Sequence, residues 1–315
     1  MSALIPQPAW PALSYDEYRH TGRTLHLMTQ VVGKVRLAQT PWLNHSWQAP
    51  LYVTPRGLTT GTIPYGARVF DIEFDLIDAT LRIRADGPIA HVPLRPMPIA
   101  DFYRQVMLGL DAVGTPVRIN RAPNEMEEAV PFDQDIAPRA FDPDQARRLW
   151  RALVQGDRVL KLFRTAFLGK ASPVHFFWGS FDLAVTRFSG RPAPRHPGGT
   201  PHLPDAVARE AYSHEVSSAG FWPGGPGLEE AVFYSYAYPE PAGFRTAPAK
   251  PAAAAYNEAF GEFVLPYEAV QNAPDPDAAL LAFLTSTYAA AADAGAWDRA
   301  ALECGFGQPG IPRQV

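Results

Sequence analysis

Two short runs of the chain concentrate side chains that are able to do chemistry. They lie at 175–191 and 212–218, and their histidines and carboxylates are our predicted catalytic residues: His175, Asp182, His214 and Glu215. Imidazole and carboxyl groups transfer protons near neutral pH when their surroundings tune them. The two runs therefore predict a polar site that includes these four residues.

The two histidines leave three interpretations open. If their strands pair, His175, His214 and Glu215 could ligate a divalent metal, zinc or iron. Without a metal, a histidine partly desolvated by aromatic neighbours would titrate near neutral pH and act as an acid–base catalyst. The third interpretation is a satisfied core imidazole with a cross-strand glutamate, since the sequence has neither an HExxH motif nor another fixed ligand spacing.

Basic and aromatic residues recur at corresponding places in the two halves of the chain. In both halves a Gly-Lys pair is followed by histidine, tryptophan and arginine, and in the second half the histidine is His175. We predict that the other residues of this pattern bind substrate: Lys34, His45, Trp47 and Arg56 in the first half, and Lys170, Trp178 and Arg187 in the second. This repeated pattern predicts an ancient duplication. Its two lysines and two arginines could together bind a carboxylate or phosphate. The other interpretation of each Gly-Lys pair is a helix end, where glycine caps the helix and lysine complements its dipole.

The elements that must position these residues are long helices and short strands. Apolar stripes predict helices over 14–40, 99–113, 142–169 and 277–292. Alternation of apolar and polar residues predicts a hairpin over 70–84, and further strands are expected at 175–188, 211–218, 231–238 and 262–266. The pattern indicates an α+β fold with two pseudo-repeated halves, each a long helix followed by a mostly antiparallel sheet.

This organisation divides the chain into four parts. We predict an N-terminal half at 1–120, a crossing segment at 121–142, a C-terminal half at 143–300 and a tail at 301–315. A ligand pocket is expected between or beneath the halves, because pockets form where sub-domains meet.

Composition limits the classes of function. The chain has 315 residues, 47% of them hydrophobic, and a net charge of -4, which argues against a nucleic-acid partner. It lacks a long apolar run and a visible secretory signal, so we expect no membrane span and a cytoplasmic location. A single cysteine, Cys304, is consistent with a reducing compartment. Nothing in the sequence indicates the oligomeric state.

Several longer motifs resemble a known family. They lie at 24–27, 30–37, 44–47, 175–191 and 212–224, and they are similar to DUF5996, a bacterial family of unknown function. The resemblance runs from about Trp10 to Trp297 and implies that the chain is one family unit. It implies no activity, substrate or cofactor.

The residues alone therefore carry the functional prediction. We expect an enzyme that acts on a small polar or anionic molecule, with or without a divalent metal. The alternative is a non-catalytic protein that binds a small ligand in the same pocket. Catalysis requires titratable groups within about 3 Å of each other or of a shared water, whereas binding requires only donors and walls.

Overall fold

The N-terminal part of the chain consists of a long helix, a sheet and a second helix. The structure is a computed structural model that describes residues 10–313. The elements of this part are α1 (Tyr15–Gln39), β1 (Tyr52–Val53), β2 (Gly57–Thr59), β3 (Ile63–Tyr65), β4 (Arg68–Asp75), β5 (Thr80–Ala85), β6 (Ile89–Pro93) and α2 (Ile99–Ala112). A long connection then leads to the C-terminal part.

The C-terminal part also begins with a long helix that precedes a sheet. Its elements are α3 (Pro143–Thr165), β7 (His175–Phe177), β8 (Asp182–Pro192), α4 (Asp205–Ala211), β9 (His214–Trp222), β10 (Val232–Tyr238), β11 (Ala255–Asn257), β12 (Glu262–Pro266), α5 (Tyr267–Gln271), α6 (Pro276–Ala294) and α7 (Arg299–Leu302). The α+β class and the order of helix and sheet are confirmed.

Both sheets are six-stranded, and all of their pairings are antiparallel. The first has the order β1-β2-β4-β5-β6, with β2 and β3 pairing with opposite ends of the same edge of β4, and the second has the order β11-β12-β10-β9-β8-β7. The sheets meet where Leu51 and Phe176 exchange two backbone hydrogen bonds, each of 2.9 Å. The edges of the two sheets are therefore joined by backbone hydrogen bonds.

The predicted hairpin forms β4 and β5. Apolar residues such as Ile72 and Ile83 lie opposite each other and are fully buried, whereas Asp71 lies opposite Arg84 on the other face. Arg84 donates to Asp71 and also lies 3.1 Å from Glu73. The alternation therefore separates a core face from a face of ion pairs.

The helices cover the inner faces of the sheets. Helix α3 contacts α1, α6, β8 and β9, and α2 packs on β6. The buried apolar side chains of both parts form one continuous cluster, which includes Val31, Phe74, Leu153, Phe221 and Phe283. The two halves thus share a hydrophobic core.

Two local predictions are wrong. The run 175–188 is a hairpin and not one strand, because the chain turns at 178–181 and Phe181 takes a positive φ of 63°. His175 consequently faces the same side of the sheet as Asp182, and the opposite side from Arg187. Gly33 does not end a helix, since α1 continues to Gln39.

Candidate functional site

His175 lies in an aromatic box between the two sheets. Its ring is 5.8 Å from that of Trp47, 5.7 Å from that of Tyr52 and 5.4 Å from that of Phe177, measured between centroids. The side chain is buried, and neither ring nitrogen has a hydrogen-bond partner within residues 10–313. Burial, with a smaller effect of nearby arginines, lowers the pKa of His175 to about 3. The imidazole is therefore neutral, and within residues 10–313 it is held by aromatic contacts and not by hydrogen bonds.

His214 and Glu215 begin β9 and, as consecutive residues, face opposite sides of the sheet. The Nδ1 atom of His214 lies 3.0 Å from Ser213 Oγ. Glu215 accepts hydrogen bonds from Ser189 at 2.7 Å and from Arg191 at 2.9 Å. The glutamate is thus part of an ion pair with Arg191 at the start of an interior strand.

The strand pairing that the metal interpretation required is absent. His175 is in β7 and His214 in β9, and β8 lies between these strands. In the described part of the chain, no three His, Cys, Asp or Glu side chains are grouped closely enough to hold a metal ion. His175, His214 and Glu215 therefore do not form the predicted zinc or iron site.

The two arginines predicted to anchor substrate are far from each other. Arg56 lies on the surface of the first sheet and donates to Asp75 and, at 2.7 Å, to Asp78. Arg187 is buried, with its guanidinium 3.6 Å from the ring centroid of Phe163 and 4.3 Å from that of Tyr288. Both groups are occupied by structural contacts, so they do not form an anion clamp.

Trp178 and Lys34 join α1 to the turn of the β7–β8 hairpin. The Nε1 group of Trp178 donates to the backbone oxygen of Ala49 at 2.9 Å, and its ring packs directly on Gly33. Lys34 is buried, donates to the side-chain oxygen of Asn124 and lies 5.8 Å from the centroid of the Trp178 ring. Burial lowers the pKa of Lys34 to about 8.

Lys170, His45 and Trp47 form a group beside the aromatic box of His175, to which Trp47 also belongs. The Nζ atom of Lys170 lies 2.6 Å from His45 Nε2 and 5.2 Å from the centroid of the Trp47 ring. The four cations of the predicted clamp therefore occupy four different environments.

Asp182 is the predicted catalytic residue around which polar side chains do gather. It begins β8, and its two carboxyl oxygens accept hydrogen bonds from the hydroxyl groups of Ser180 and Tyr234. Ala184 of β8 and Tyr234 of β10 both pair with Gly220 of β9, so they face the same side of the sheet. Asp182 lies two residues before Ala184 in β8 and therefore faces that side too.

Two further tyrosines and a glutamate extend this face. Tyr236 follows Tyr234 at the alternate position of β10, and its hydroxyl group lies 2.8 Å from that of Tyr212. Ser235 pairs with Phe263, which places the adjacent residues Tyr236 and Glu262 next to each other. The sheet face thus brings carboxyl and phenol groups together.

The last member of the group, Glu125, comes from the connection between the two halves. Gln30 accepts from the Asn124 backbone N–H at 2.7 Å and donates to the Asn124 carbonyl at 2.9 Å, while the Glu125 N–H donates to Pro201 at 3.0 Å. These bonds hold Glu125 at a φ of 57°, with its carboxyl group against Gly179. A non-glycine residue in the left-handed region is uncommon and is often found at functional sites.

We name this group the acid–tyrosine cluster. It comprises Glu125, Asp182, Tyr212, Tyr234, Tyr236 and Glu262. Asp182 and Tyr234 are buried, and the other four side chains are half-buried. The floor of the cluster, Asp182 and Tyr234, is therefore closed to solvent, and its other four side chains are partly exposed.

The carboxyl groups of the cluster hold their protons unusually tightly. Burial, reinforced by the charge of Asp182, raises the pKa of Glu125 and of Glu262 from 4.5 to about 7. Burial also raises the pKa of Asp182, against the opposing effect of its hydrogen bonds from Ser180 and Tyr234. Two of the groups thus change protonation state near neutral pH, as acid–base catalysts do.

Asp182 differs from every other buried carboxylate of residues 10–313. The others have a cation within ion-pair distance: Glu73 has Arg84, Asp75 has Arg56 and Arg82, Asp135 has Arg139, and Asp157 has Lys161. Asp182 has none, and in the same part of the chain neither Glu125 nor Glu262 forms an ion pair. A buried carboxylate without a cation is costly, and active sites are where proteins retain such groups.

The sequence indicated only part of this cluster. Asp182 stood out because it lies in the first polar run, and Tyr212 begins the second. Glu125 and Glu262 carried no local signal, because one lies in an irregular connection and the other begins a short strand. Only the tertiary fold brings them to Asp182.

The architecture and the cluster define a two-sheet α+β protein in which carboxyl and phenol groups gather on one face of the second sheet. The chain belongs to DUF5996, a family of unknown function, whose model matches residues 10–304. No curated protein and no solved structure matches the chain. No helix within 10–313 has the length and apolar character needed to cross a membrane.

Proposed function

We propose that the protein is an enzyme that transfers protons on a small polar molecule bound at the acid–tyrosine cluster. The observation that supports this most is the buried carboxylate of Asp182, which lacks the cation that every other buried carboxylate of residues 10–313 has. The other buried carboxylates are each paired with a lysine or arginine. An unpaired carboxylate that lies beside two further carboxyl groups is therefore better explained by a catalytic role than by a structural one.

The proposed roles follow from protonation state. Glu125 and Glu262 act as proton donor and acceptor, since a pKa of about 7 lets each exist in both forms at neutral pH. Asp182, whose own pKa is raised by burial, raises the pKa of both glutamates when it is ionised. The phenol groups of Tyr212 and Tyr236 donate hydrogen bonds to the substrate, and the tyrosine rings form apolar walls.

Charge also limits the substrate. Within the described residues no lysine or arginine forms an ion pair with a carboxyl group of the cluster, whereas an anionic substrate would need such a partner. The cluster therefore suits a neutral or cationic molecule. An anionic substrate, which Arg56 and Arg187 were expected to bind, is disfavoured because both arginines are occupied by structural contacts.

A proton-transfer enzyme exchanges substrate hydrogens with solvent even when the net reaction is slow. We would screen sugars, polyols, primary amines and quaternary ammonium salts by thermal shift at pH 7, because a ligand that binds the folded state raises Tm. Each hit is then incubated with the enzyme in D₂O, and deuterium incorporation is followed by proton NMR. We expect exchange with wild type and a loss of roughly a hundredfold in Glu262→Gln.

Glu268→Gln is the matched control, because Glu268 is exposed in α5 just beyond β12. It should exchange at the wild-type rate. A hit that binds equally to wild type and Glu262→Gln, with no deuterium incorporation in either, would instead identify a non-catalytic binding protein. Hits whose binding is unaffected by Glu125→Gln, Asp182→Asn and Glu262→Gln would place the ligand elsewhere.

A further inference from the structure

An amine and an imidazole form a pair outside the acid–tyrosine cluster. The Nζ atom of Lys170 lies 2.6 Å from His45 Nε2, and His45 Nδ1 lies 3.1 Å from the backbone oxygen of Ala211. A carbonyl oxygen only accepts hydrogen bonds, so Nδ1 carries the hydrogen and the lone pair of Nε2 faces the amine. The backbone thus fixes the tautomer in which the imidazole can take a proton from Lys170.

The imidazole is held rigidly in this position. His45 is buried and its backbone lies in the left-handed region, with a φ of 60°. Its ring also contacts that of Phe188, 4.7 Å away between centroids, and that of Trp47, 5.5 Å away. A nucleophile, an adjacent base and a group that orients the base are the parts of an activated-nucleophile site.

Lys170 is exposed at the surface but has aromatic groups on one side. Its Nζ atom lies 4.7 Å from the centroid of the Phe188 ring and 5.2 Å from that of Trp47. No carboxylate in 10–313 lies within ion-pair distance of it, whereas Lys161 has Asp157 at 2.6 Å. Desolvation by this surface lowers the pKa of Lys170, which increases the fraction of neutral amine.

The side chains whose charge acts on His45 are basic. One is Lys170, and the other is His214, whose ring lies 6.2 Å from that of His45 between centroids. Burial lowers the pKa of His45, with smaller contributions in the same direction from Lys170 and His214. The imidazole is therefore neutral at pH 7 and available as a proton acceptor.

We propose that Lys170 and His45 form a nucleophilic site that condenses with a small aldehyde or ketone. The neutral amine attacks the carbonyl carbon, so that a C–N bond forms and the carbonyl π electrons move to oxygen. His45 accepts the first proton that nitrogen loses and passes it to the oxygen. It then passes the second amine proton to the same oxygen, so the C–O bond breaks, water leaves and the C=N bond forms. The balance is one amine and one carbonyl compound converted to one imine and one water.

The aromatic groups beside the amine favour a particular class of carbonyl compound. The rings of Trp47 and Phe188 flank Nζ, so an aromatic or apolar substituent on the carbonyl carbon would pack against them. This site shares no residue with the acid–tyrosine cluster and does not depend on the function proposed for that cluster.

The composition of the chain makes the test direct, because it contains only four lysines: Lys34, Lys161, Lys170 and Lys250. The full-length protein is incubated with benzaldehyde and sodium cyanoborohydride at pH 6 to 9, and the benzylated lysines are quantified by peptide mass spectrometry. We expect Lys170 to react roughly tenfold or more faster than the exposed Lys250 at pH 7, since a positioned base assists only Lys170.

His45→Asn is the informative variant, because asparagine tolerates the left-handed backbone but places no base at the amine. It should reduce the rate at Lys170 to about that at Lys250 and leave Lys250 unchanged, and its near-UV circular dichroism shows whether it folds. Lys170→Arg keeps a cation over the rings and should abolish labelling in its peptide. Equal rates at Lys170 and Lys250 in wild type, or an unchanged ratio in folded His45→Asn, would overturn the proposal.

Discussion

Gly33→Ala is expected to destabilise the protein by about 2 kcal/mol or more, although alanine is the better helix former by about 1 kcal/mol. The reason is the ring of Trp178, which packs so closely on Gly33 that a β-carbon would overlap three of its atoms. The ring has no room to move, because Trp178 is buried and its Nε1 group is bonded to Ala49. Urea unfolding of wild type and variant measures the loss.

Gly22→Ala is the control in the same helix. Gly22 is also buried, but a β-carbon there would lie 3.4 Å from the nearest atom of Tyr18, an ordinary contact. This variant should be stabilised by up to about 1 kcal/mol. If both variants gained stability, close packing of Trp178 would not be the reason for glycine at position 33.

A double substitution isolates the contact. Trp178→Ala removes all three ring atoms that a β-carbon at position 33 would meet, so Gly33→Ala should cost less in that background than in wild type. Strict additivity of the two free-energy changes would contradict the proposed clash.

Gly33 also shows why the repeated Gly-Lys pairs misled the sequence interpretation. A glycine near the end of an apolar stripe is typical of a helix cap, but α1 runs six residues further, to Gln39. What requires glycine is a tryptophan from the distant hairpin turn at 178–181, and periodicity carries no information about such a contact. The predicted end of the helix at Thr40, in contrast, is confirmed, because proline at position 41 restricts the backbone there.

Strand patterns were informative where a sheet has one buried face. The hairpin of β4 and β5 was predictable residue by residue, since its apolar and charged residues alternate. The run 175–188 has aromatic or apolar residues on both faces, so alternation could not reveal its turn, and the prediction of a single strand there was wrong. Of the cluster, only Asp182 was identified as a site residue, because the partners that define its chemistry are distant in the chain.

The protein should lose stability as the pH rises through the range in which Glu125 and Glu262 ionise. Their folded-state pKa is raised from 4.5 to about 7, so the folded state holds protons that the unfolded chain releases. The contribution of these protons to stability is fully present below pH 4.5, declines as the pH rises and is lost above about pH 7. The slope has the opposite sign to that of a carboxylate stabilised by a salt bridge.

Glu125→Gln should therefore stabilise the protein at pH 8 by about 2 kcal/mol and change its stability little at pH 4.5, with Glu262→Gln behaving alike. This figure is lower than the shift alone implies, because solvent screens half-buried side chains. Both glutamates interact with Asp182, so the gain in the double variant should differ from the sum of the single gains. Urea unfolding at pH 4.5 and pH 8 measures each value.

Glu127→Gln is the control for position 125, because Glu127 is an exposed residue of the same connection. It should leave stability unchanged at both pH values. Equal stability of wild type and Glu125→Gln at pH 8 would show that the ionised carboxylate of Glu125 does not destabilise the folded state. A gain at pH 8 would show that the fold keeps a costly carboxylate beside Asp182, and retaining it at the expense of stability is what a catalytic role explains.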